Sequence, residues 1–300
     1  MPPTEVQVSL PIPSLRHRRA VRARAASRPR EAFVLSGGGS LGAAQVGAMR
    51  ALLEAGIRPD LLVGCSVGAL NAAYVAVDPT LARIEELERI WRGLGREHVF
   101  GRGGRSVLLN AVRRDHLYDP EALRALVRSW FPLGDLADTA VPLQVVTTDL
   151  DRGEPAWWSS GDPVQVLTAS ACLPALFPPV QLGDSLHVDG GVTVPVPVQR
   201  ALDLEAVRVW VLDVSGGSLG RTGNRMTALD VLLQSFAISR AQLDRPVSAL
   251  RPGQDVIRLR RPDLQLEMRD FTQTPRLLAA GYAVAREALA ALPAPARRTG

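Results

Sequence analysis

The residues best suited to covalent chemistry lie in one pentapeptide, Gly64-Cys65-Ser66-Val67-Gly68, which has the pattern G-x-S-x-G. An apolar run precedes it and a helical pattern follows it, so we expect the serine on the turn between a buried strand and a helix. Glycines at 64 and 68 permit the strained turn that exposes a serine hydroxyl above a sheet. The pattern predicts a nucleophile for acyl transfer, and a small-residue turn for close packing is the alternative.

A glycine-rich loop lies between the preceding strand and its helix. It consists of Gly37, Gly38, Gly39, Ser40, Leu41 and Gly42. Converging backbone N–H groups at a helix N-terminus favour a bound anion or an oxyanion. The spacing also satisfies G-x-G-x-x-G, but a dinucleotide site expects an acid near the end of the second strand, where Gly64 to Ser66 stand. A nucleotide site and a glycine turn without a ligand are the alternatives.

The partner of the serine is less obvious from the sequence. The chain has four histidines, at positions 17, 98, 116 and 187. In the Ser, Asp/Glu, His order of α/β-hydrolases the histidine comes last, yet no histidine follows Asp189. His187 would share a strand face with Asp189, and we expect it to be a satisfied histidine of the core or rim.

A third motif, Asp189-Gly190-Gly191, follows the short run 185–188. An aspartate can take a serine proton directly where its surroundings raise its pKa or the two groups share a strong hydrogen bond. Alone, the tripeptide is typical of a hairpin turn. Ser66 and Asp189 therefore make a candidate dyad, and the tripeptide by itself does not decide between dyad and turn.

Together and in this order, the three motifs resemble the patatin-like phospholipase family, in its bacterial type. Further blocks resemble the same family: LYDP at 117–120, TTDL at 147–150, ASACLP at 169–174 and FPPV at 177–180. The resemblance covers about Ala32 to Asp213. It departs at Leu41, where many members have Lys or Arg, and at Val194 and Pro195, where many have an Asn pair.

The resemblance implies a three-layer α/β/α sandwich and a serine acyl-hydrolase that cleaves phospholipid or lysophospholipid esters. It makes Ser66 the nucleophile, Asp189 the base, and the loop amides from Gly37 to Gly42 the oxyanion hole. No cofactor and no metal are implied. A non-catalytic lipid-binding or regulatory protein on the same fold is the alternative function.

The elements that must position these residues alternate between strand and helix, which independently predicts an α/β fold with a mostly parallel sheet. Expected strands are 32–35, 60–63, 142–148, 207–214 and an edge strand at 256–259; expected helices are 43–55, 67–77, 80–94, 120–130, 226–242 and 276–292. No linker is evident, so we expect one domain over 31–293, with its motif-bearing core at about 32–213 and a short tail at 294–300.

All 35 cationic side chains are arginines, which excludes mechanisms that need a lysine amine. Residues 1–30 hold seven arginines and one acid, whereas the rest of the chain holds 28 arginines and 29 acids. The near-neutral body argues against nucleic-acid binding. We expect a disordered basic tail over 1–30, either solvated or docked on anionic lipid.

Total replacement of lysine by arginine is typical of a genome-wide codon bias, although an arginine-rich, acid-poor leader also fits a transit peptide. We therefore expect a bacterial cytoplasmic protein that can be peripheral at a membrane. The two cysteines, Cys65 and Cys172, are expected to be reduced. Uncharged runs at 32–49, 61–77 and 163–183 are interrupted by glycine or proline, so we interpret them as the buried centre of the domain rather than membrane spans.

Apolar residues around the motifs are candidates for an acyl-chain pocket, although ordinary core packing explains each one as well. They are Leu41, Val67, Leu70, Leu173, Leu176 and Phe177. The pair Trp157-Trp158 is expected either at a pocket rim or membrane interface, or on a strand that buries one indole.

Overall fold

The computed structural model describes residues 29–101, 116–215, 250–259 and 268–292, with isolated residues between 231 and 243. Within these residues the strands are β1 (Glu31–Leu35), β2 (Leu61–Cys65), β3 (Leu143–Asp149), β4 (Glu154–Trp158), β5 (Val180–Leu182), β6 (Ser185–Asp189), β7 (Arg208–Leu212) and β8 (Asp255–Arg258). The α-helices are α1 (Gly42–Glu54), α2 (Val67–Val77), α3 (Leu81–Gly93), α4 (Arg96–Phe100), α5 (Glu121–Trp130), α6 (Pro163–Ala171), α7 (Val198–Asp203) and α8 (Thr274–Ala291). Single 3₁₀ turns lie at Gly39–Leu41, Leu136–Asp138 and Gly190–Val192.

The strands form one mixed sheet in the order β5-β6-β3-β2-β1-β7-β8, with β4 paired to β3. β1 runs parallel to β2 and β7, β2 parallel to β3, and β7 parallel to β8. The remaining pairs, β3–β4, β3–β6 and β5–β6, are antiparallel. The predicted α/β class with a mostly parallel sheet is confirmed.

Both faces of the central strands are buried, which is why their sequences are continuous apolar runs. Phe33 and Leu35 of β1 belong to the larger core, where α1, α2, α3, α5 and α8 contribute their apolar faces. Ala32 and Val34 point to the opposite face, where α7 packs with Val198 among its buried side chains. Alternate side chains along β1 therefore belong to two separate hydrophobic clusters, one on each face of the sheet.

Three strands pair with β3, which has only two edges, and their arrangement positions the candidate site residues. β4 pairs with residues 145–149 of β3, whereas β2 pairs with 143–146 and β6 with 147–149. Since both β2 and β6 overlap with β4 along β3, they must share the other edge. Their carboxyl ends therefore face each other, and Asp189 at the end of β6 comes next to Cys65 at the end of β2.

The predicted helices and main strands within the described residues begin and end within two residues of the observed ones. The sequence patterns did not predict α4, α6, α7 or β5. The predicted helix at 226–242 lies largely outside the described residues, as do residues 1–28 of the basic tail and the short tail at 294–300. Among the described helices, none is both long enough and apolar enough to span a bilayer.

Candidate active site

Ser66 occupies a strained turn between β2 and α2. Its backbone has φ 55° and ψ −128°, a region that a residue with a side chain rarely adopts, and such strain costs on the order of 1–3 kcal/mol. Its N–H donates to the Ser170 hydroxyl (3.0 Å), and that hydroxyl donates to the Val146 carbonyl (2.7 Å). Ser170 thus fixes the turn from α6. Its position in the ASACLP block was noted, but the sequence did not indicate this contact.

The glycine at the end of the pentapeptide has a packing role. A Cβ at Gly68 would overlap the backbone carbonyls of Leu35 and Ser36 at the end of β1. The start of α2 therefore lies directly against the end of β1, and only glycine permits this approach. Gly64, at the other end of the motif, packs in the same way against the backbone of Ala69.

Asp189 is completely buried where β6 ends. Its N–H donates to the Cys172 carbonyl (2.9 Å), and its Oδ1 accepts the N–H of Gly191 (2.7 Å). The same Oδ1 lies 3.9 Å from Sγ of Cys65, the residue before Ser66. The carboxylate is held at the end of β2, with Gly190 packed against the Val146 carbonyl.

His187 lies two residues before Asp189, and its partners satisfy it within the protein. Its Nδ1 is 3.0 Å from Oγ1 of Thr147, which also accepts a hydrogen bond from Nε1 of Trp158 (2.8 Å). Burial lowers the pKa of His187, so the ring is neutral at pH 7. The expectation of a satisfied buried histidine is confirmed.

The neighbouring Trp157 stacks under Arg200, with Cζ of the guanidinium 5.1 Å from the centre of the indole ring.

Both cysteines lie close to Asp189 and are fully buried, with free thiols. Burial, together with the charge of Asp189, raises the pKa of Cys172 to about 12. Because the thiolate is the reactive form, Cys172 is an inert part of the core and not a candidate nucleophile.

The glycine loop folds as a 3₁₀ turn in which most amides are already used. The N–H of Gly37 donates to the Pro195 carbonyl (3.2 Å), and that of Ser40 donates to the Met268 carbonyl (2.8 Å). The N–H of Gly42 bonds within the turn. The amides of Gly38 and Gly39 donate to no acceptor among the described residues.

Two of the positions that depart from the family pattern lie in the glycine loop or against it. Leu41, where many members have a cation, is 6% exposed and packs in the main core. Pro195 supplies its carbonyl to the loop, a contact that does not depend on the side chain at that position.

Gly39 has a positive φ of 60°, and a Cβ added there would overlap the Met268 carbonyl. The loop therefore requires glycine at this position.

An apolar pocket opens beside Ser66, with about 550 Å³ of empty space when its solvent-open mouth is included. It is lined by Gly39, Ser66, Val67, Leu70, Trp91, Leu94, Val99, Phe100, Leu123, Leu126, Trp130, Ala171, Leu173, Phe177, Met268 and Phe271. Four of the six apolar candidates from the sequence line it, whereas Leu41 and Leu176 lie in the core instead.

Apart from Phe177, the aromatic wall of this pocket was not predicted from the sequence. Trp91 and Phe271 stack with centroids 6.3 Å apart, and Phe100 stacks on Phe177 at 5.6 Å. Trp91 lies on α3 and Phe271 just before α8, and the sequence around each indicates only an ordinary buried residue.

The described residues hold no group of His, Cys, Asp or Glu side chains that could bind a metal ion. A hydroxyl, a carboxylate, backbone amides and an apolar pocket are the groups that acyl transfer needs.

A family model, several relatives and a solved structure are similar to this chain. A model of the family described as patatin-like phospholipase matches residues 33–202, more than half of the chain. An uncharacterized NTE family protein of Mycobacterium tuberculosis is 25% identical over 237 residues, which are 75% of this chain and 63% of that protein. Lysophospholipase nte1 of Aspergillus terreus is 30% identical over 182 residues, which are 61% of this chain and 12% of that protein. The solved structure of VipD from Legionella pneumophila has a TM-score of 0.46 and 16% identity, over 88% of this chain and 67% of that chain.

The chain spans less than two thirds of the length of both relatives, so their names describe larger proteins. The family model is different, because its match runs through the glycine loop, Ser66 and Asp189 and covers more than half of the sequence. The chain belongs to the patatin-like phospholipase family.

Proposed function

We propose that this protein is a serine acyl-hydrolase that cleaves the acyl esters of phospholipids or lysophospholipids. The observation that carries the proposal is the meeting of three remote segments at the carboxyl edge of the sheet. Gly39 of the glycine loop and Ser66 line the same apolar pocket there, and Asp189 lies against Cys65, the residue before Ser66. Ligands of open α/β sheets bind at this edge as a rule.

In the proposed reaction Asp189 takes the proton of the Ser66 hydroxyl while Oγ attacks the ester carbonyl carbon. The carbonyl oxygen becomes an oxyanion, which the free amides of Gly38 and Gly39 stabilise. The C–O bond to the alcohol then breaks, and the alcohol leaves with the proton from Asp189. Water, deprotonated by Asp189, then attacks the carbonyl carbon of the acyl-serine. The bond from that carbon to Oγ of Ser66 breaks, Oγ takes the proton back from Asp189, and the fatty acid leaves. The amides are backbone groups held by folding, so they require no reorganisation during the reaction.

The pocket supports a lipid rather than a polar ester. Apart from Ser66 and the backbone of Gly39, its lining consists of aliphatic and aromatic side chains. Each buried methylene of an acyl chain contributes about 0.8 kcal/mol to binding. The name of the fungal relative, a lysophospholipase, agrees with lipid chemistry, although it refers to a longer protein.

A fluorophosphonate probe followed by peptide mass spectrometry tests the nucleophile, and a panel of lipid esters tests the substrate class. We expect a single label at Ser66 and release of free fatty acid. Ser66→Ala and Asp189→Asn should each abolish release without unfolding the protein. Ser129→Ala and Asp203→Asn, on exposed helix surfaces, serve as matched controls with full activity.

Full activity in either site variant would exclude the dyad. Binding of fatty acid without labelling or turnover would instead favour the non-catalytic lipid-binding alternative. Retained affinity for lipid in Ser66→Ala is expected under both functions, so turnover and labelling are the readouts that decide.

We also propose that the protein is cytoplasmic and that its arginine-rich tail binds anionic membranes. Seven arginines against one acid in residues 1–30 offer about 1 kcal/mol per cation near such a surface. A chain that lacks residues 1–30 should sediment less with anionic vesicles at low salt than the full chain. Equal sedimentation of the two chains would remove the tail from this role.

A further inference from the structure

Two buried amide side chains lie beneath the glycine loop, and the proposed reaction does not use them. Gln45 on α1 is 1% exposed and Asn71 on α2 is fully buried. Nδ2 of Asn71 donates to Oε1 of Gln45 (3.0 Å), so the two amides form one unit between the helices. Buried amides carry a desolvation cost that only a complete set of hydrogen bonds offsets.

This pair contacts both ends of the glycine loop. Nε2 of Gln45 donates to the carbonyl of Ser36, directly before the loop (2.8 Å), and to the carbonyl of Leu212 (3.2 Å). Nδ2 of Asn71 also donates to the carbonyl of Gly42, the last residue of the loop (3.0 Å). The four amide protons of the pair are therefore all used, and two of them hold the ends of one short segment.

The same pair is attached to the pocket. Nε1 of Trp91 donates to Oδ1 of Asn71 (3.0 Å), and the indole lines the pocket beside Phe271. A continuous hydrogen-bonded chain thus runs from the pocket wall at Trp91 through Asn71 and Gln45 to the start of the glycine loop.

Apolar side chains of the same size would fill the space between α1 and α2 without a desolvation cost. What a fully satisfied polar network adds is a single fixed geometry. Oxyanion donors need such a geometry, since a displacement of about 1 Å can lower a rate by about 100-fold. The amides of Gly38 and Gly39 lie between the two carbonyls that the network holds.

We infer that Gln45 and Asn71 are positioning residues that hold both ends of the glycine loop, so that the amides of Gly38 and Gly39 keep the geometry needed for the oxyanion. This inference rests on the proposed hydrolase function. Trp91 is one step further from the loop and anchors the pair to the pocket wall.

The test uses the full chain and a chromogenic medium-chain ester. Gln45→Met and Asn71→Leu remove the amides at similar size. We expect kcat to fall by about 10- to 100-fold in each, with KM within about twofold of wild type. Trp91→Phe, which keeps an aromatic ring, should lower kcat less than either. The control is Thr139→Val, a buried hydroxyl outside the pocket that donates to the carbonyls of Leu136 and Val141.

A second readout separates positioning from a loss of stability. In Gln45→Glu the introduced carboxyl group carries one O–H donor when protonated and none when ionised. The ratio of its kcat to that of wild type should therefore rise as pH falls, because protonation restores one bond to the Ser36 carbonyl. Wild-type turnover itself should fall in acid, since Asp189 must be ionised to accept the serine proton. If Gln45 has only a structural role, the ratio of the Gln45→Glu kcat to the wild-type kcat will not rise as pH falls.

The outcomes are distinguishable. If Gln45→Met and Asn71→Leu lose thermal stability as Thr139→Val does but keep kcat within twofold, the network is structural and the inference is overturned. If the ratio for Gln45→Glu is flat with pH, the link to the Ser36 carbonyl is overturned. If the wild-type protein neither reacts with fluorophosphonate nor cleaves any ester, the proposed function fails, and this inference fails with it.

Discussion

The two sides of the site are built in opposite ways. On the side of the proposed catalytic residues, which we call the catalytic side, the glycine loop and the Ser66 and Asp189 turns approach neighbouring backbone closely through glycines. Buried side chains such as Ser170 add hydrogen bonds to these turns. On the pocket side, large aromatic and aliphatic side chains from α3, α4, α5 and the 268–271 segment surround the space next to Ser66. Backbone approach leaves no room for added atoms, whereas a side-chain wall changes shape with each substitution. The catalytic side should therefore fail abruptly on mutation and the pocket side gradually.

The sharpest test of this contrast is Gly68→Ala. One added methyl group would meet the carbonyls of Leu35 and Ser36, which are backbone atoms at the end of the central strand β1. Overpacking of this kind costs about 3 kcal/mol of unfolding free energy, and the displaced turn should remove nearly all turnover. Urea denaturation and ester hydrolysis are the measurements.

Gly93→Ala is the matched control for this variant. It lies in the last turn of α3, where an added Cβ meets nothing within 4 Å. Alanine is the better helix former, so this variant should gain up to about 1 kcal/mol of stability and keep its activity. Equal effects at the two glycines would contradict the proposed difference between backbone packing and open surface.

Ser170→Ala probes the hydroxyl that holds the turn of Ser66. The substitution leaves the Ser66 N–H and the Val146 carbonyl without their partner, and both groups are buried. Each unsatisfied buried group costs on the order of 1–3 kcal/mol, so we expect a loss of about 2 kcal/mol in thermal or urea unfolding. Turnover should fall with KM nearly unchanged, because the pocket is not altered.

Ser170→Thr keeps the hydroxyl and distinguishes the lost hydrogen bonds from changed packing. If Ser170→Ala lowers stability but leaves kcat at the wild-type value, the turn of Ser66 does not need this contact. The contact would then belong to the core alone, and the catalytic side would be less sensitive than its backbone geometry indicates.

These contacts explain how much of the molecule could be predicted. Ser66 and Gly68 lie in one strand-to-helix turn, and local sterics leave few residue types for it, so a short pattern suffices. The position of Asp189 depends on β6 meeting β2 end to end along β3, which no local pattern encodes; here the family resemblance, not periodicity, carried the prediction. The short α6 and β5 were missed because the uncharged run 163–183 was interpreted only as a buried segment. β5 has just three residues and directly follows Pro178 and Pro179.

The pocket side was predicted least well, for a physical reason. Trp91 and Phe271 are far apart in sequence, and each has the spacing of an ordinary buried helix or loop residue. An apolar side chain that lines a cavity and one that fills the core obey the same pattern, so only the packing of α3 against the 268–271 segment separates them. The same ambiguity accounts for Leu176, which lies in the core although it is next to Phe177.

Leu126→Ala tests the gradual response expected of the pocket side. Leu126 lines the pocket from α5 and is partly buried. Its truncation removes contact with a long acyl chain at a cost of about 1 kcal/mol, or about fivefold in kcat/KM. An acetyl ester, which does not reach this part of the pocket, should be hydrolysed as before.

The control is Leu150→Ala, an exposed leucine outside the pocket, which should leave both rates unchanged. A selective loss for long chains in Leu126→Ala alone would assign the pocket to the acyl group. An equal loss for acetyl and long-chain esters would mean that Leu126 supports the catalytic side instead, and the separation of the two sides would be wrong at that point.

The smallest effect concerns His187, which lies behind Asp189 on the catalytic side. Burial lowers its pKa in the folded protein, against nearby Asp149 and Asp151, which raise it. Below the ordinary pKa of about 6.5 the unfolded chain therefore binds this proton more readily than the folded one. Stability that is present above about pH 6.5 is lost as pH falls toward the folded-state pKa. His187→Asn, which can still bond to Thr147, should be less sensitive to acid between pH 6.5 and 5 in urea unfolding. If the variant and the wild-type protein lose stability in parallel over this range, carboxylates rather than this histidine set the acid limit of the catalytic side.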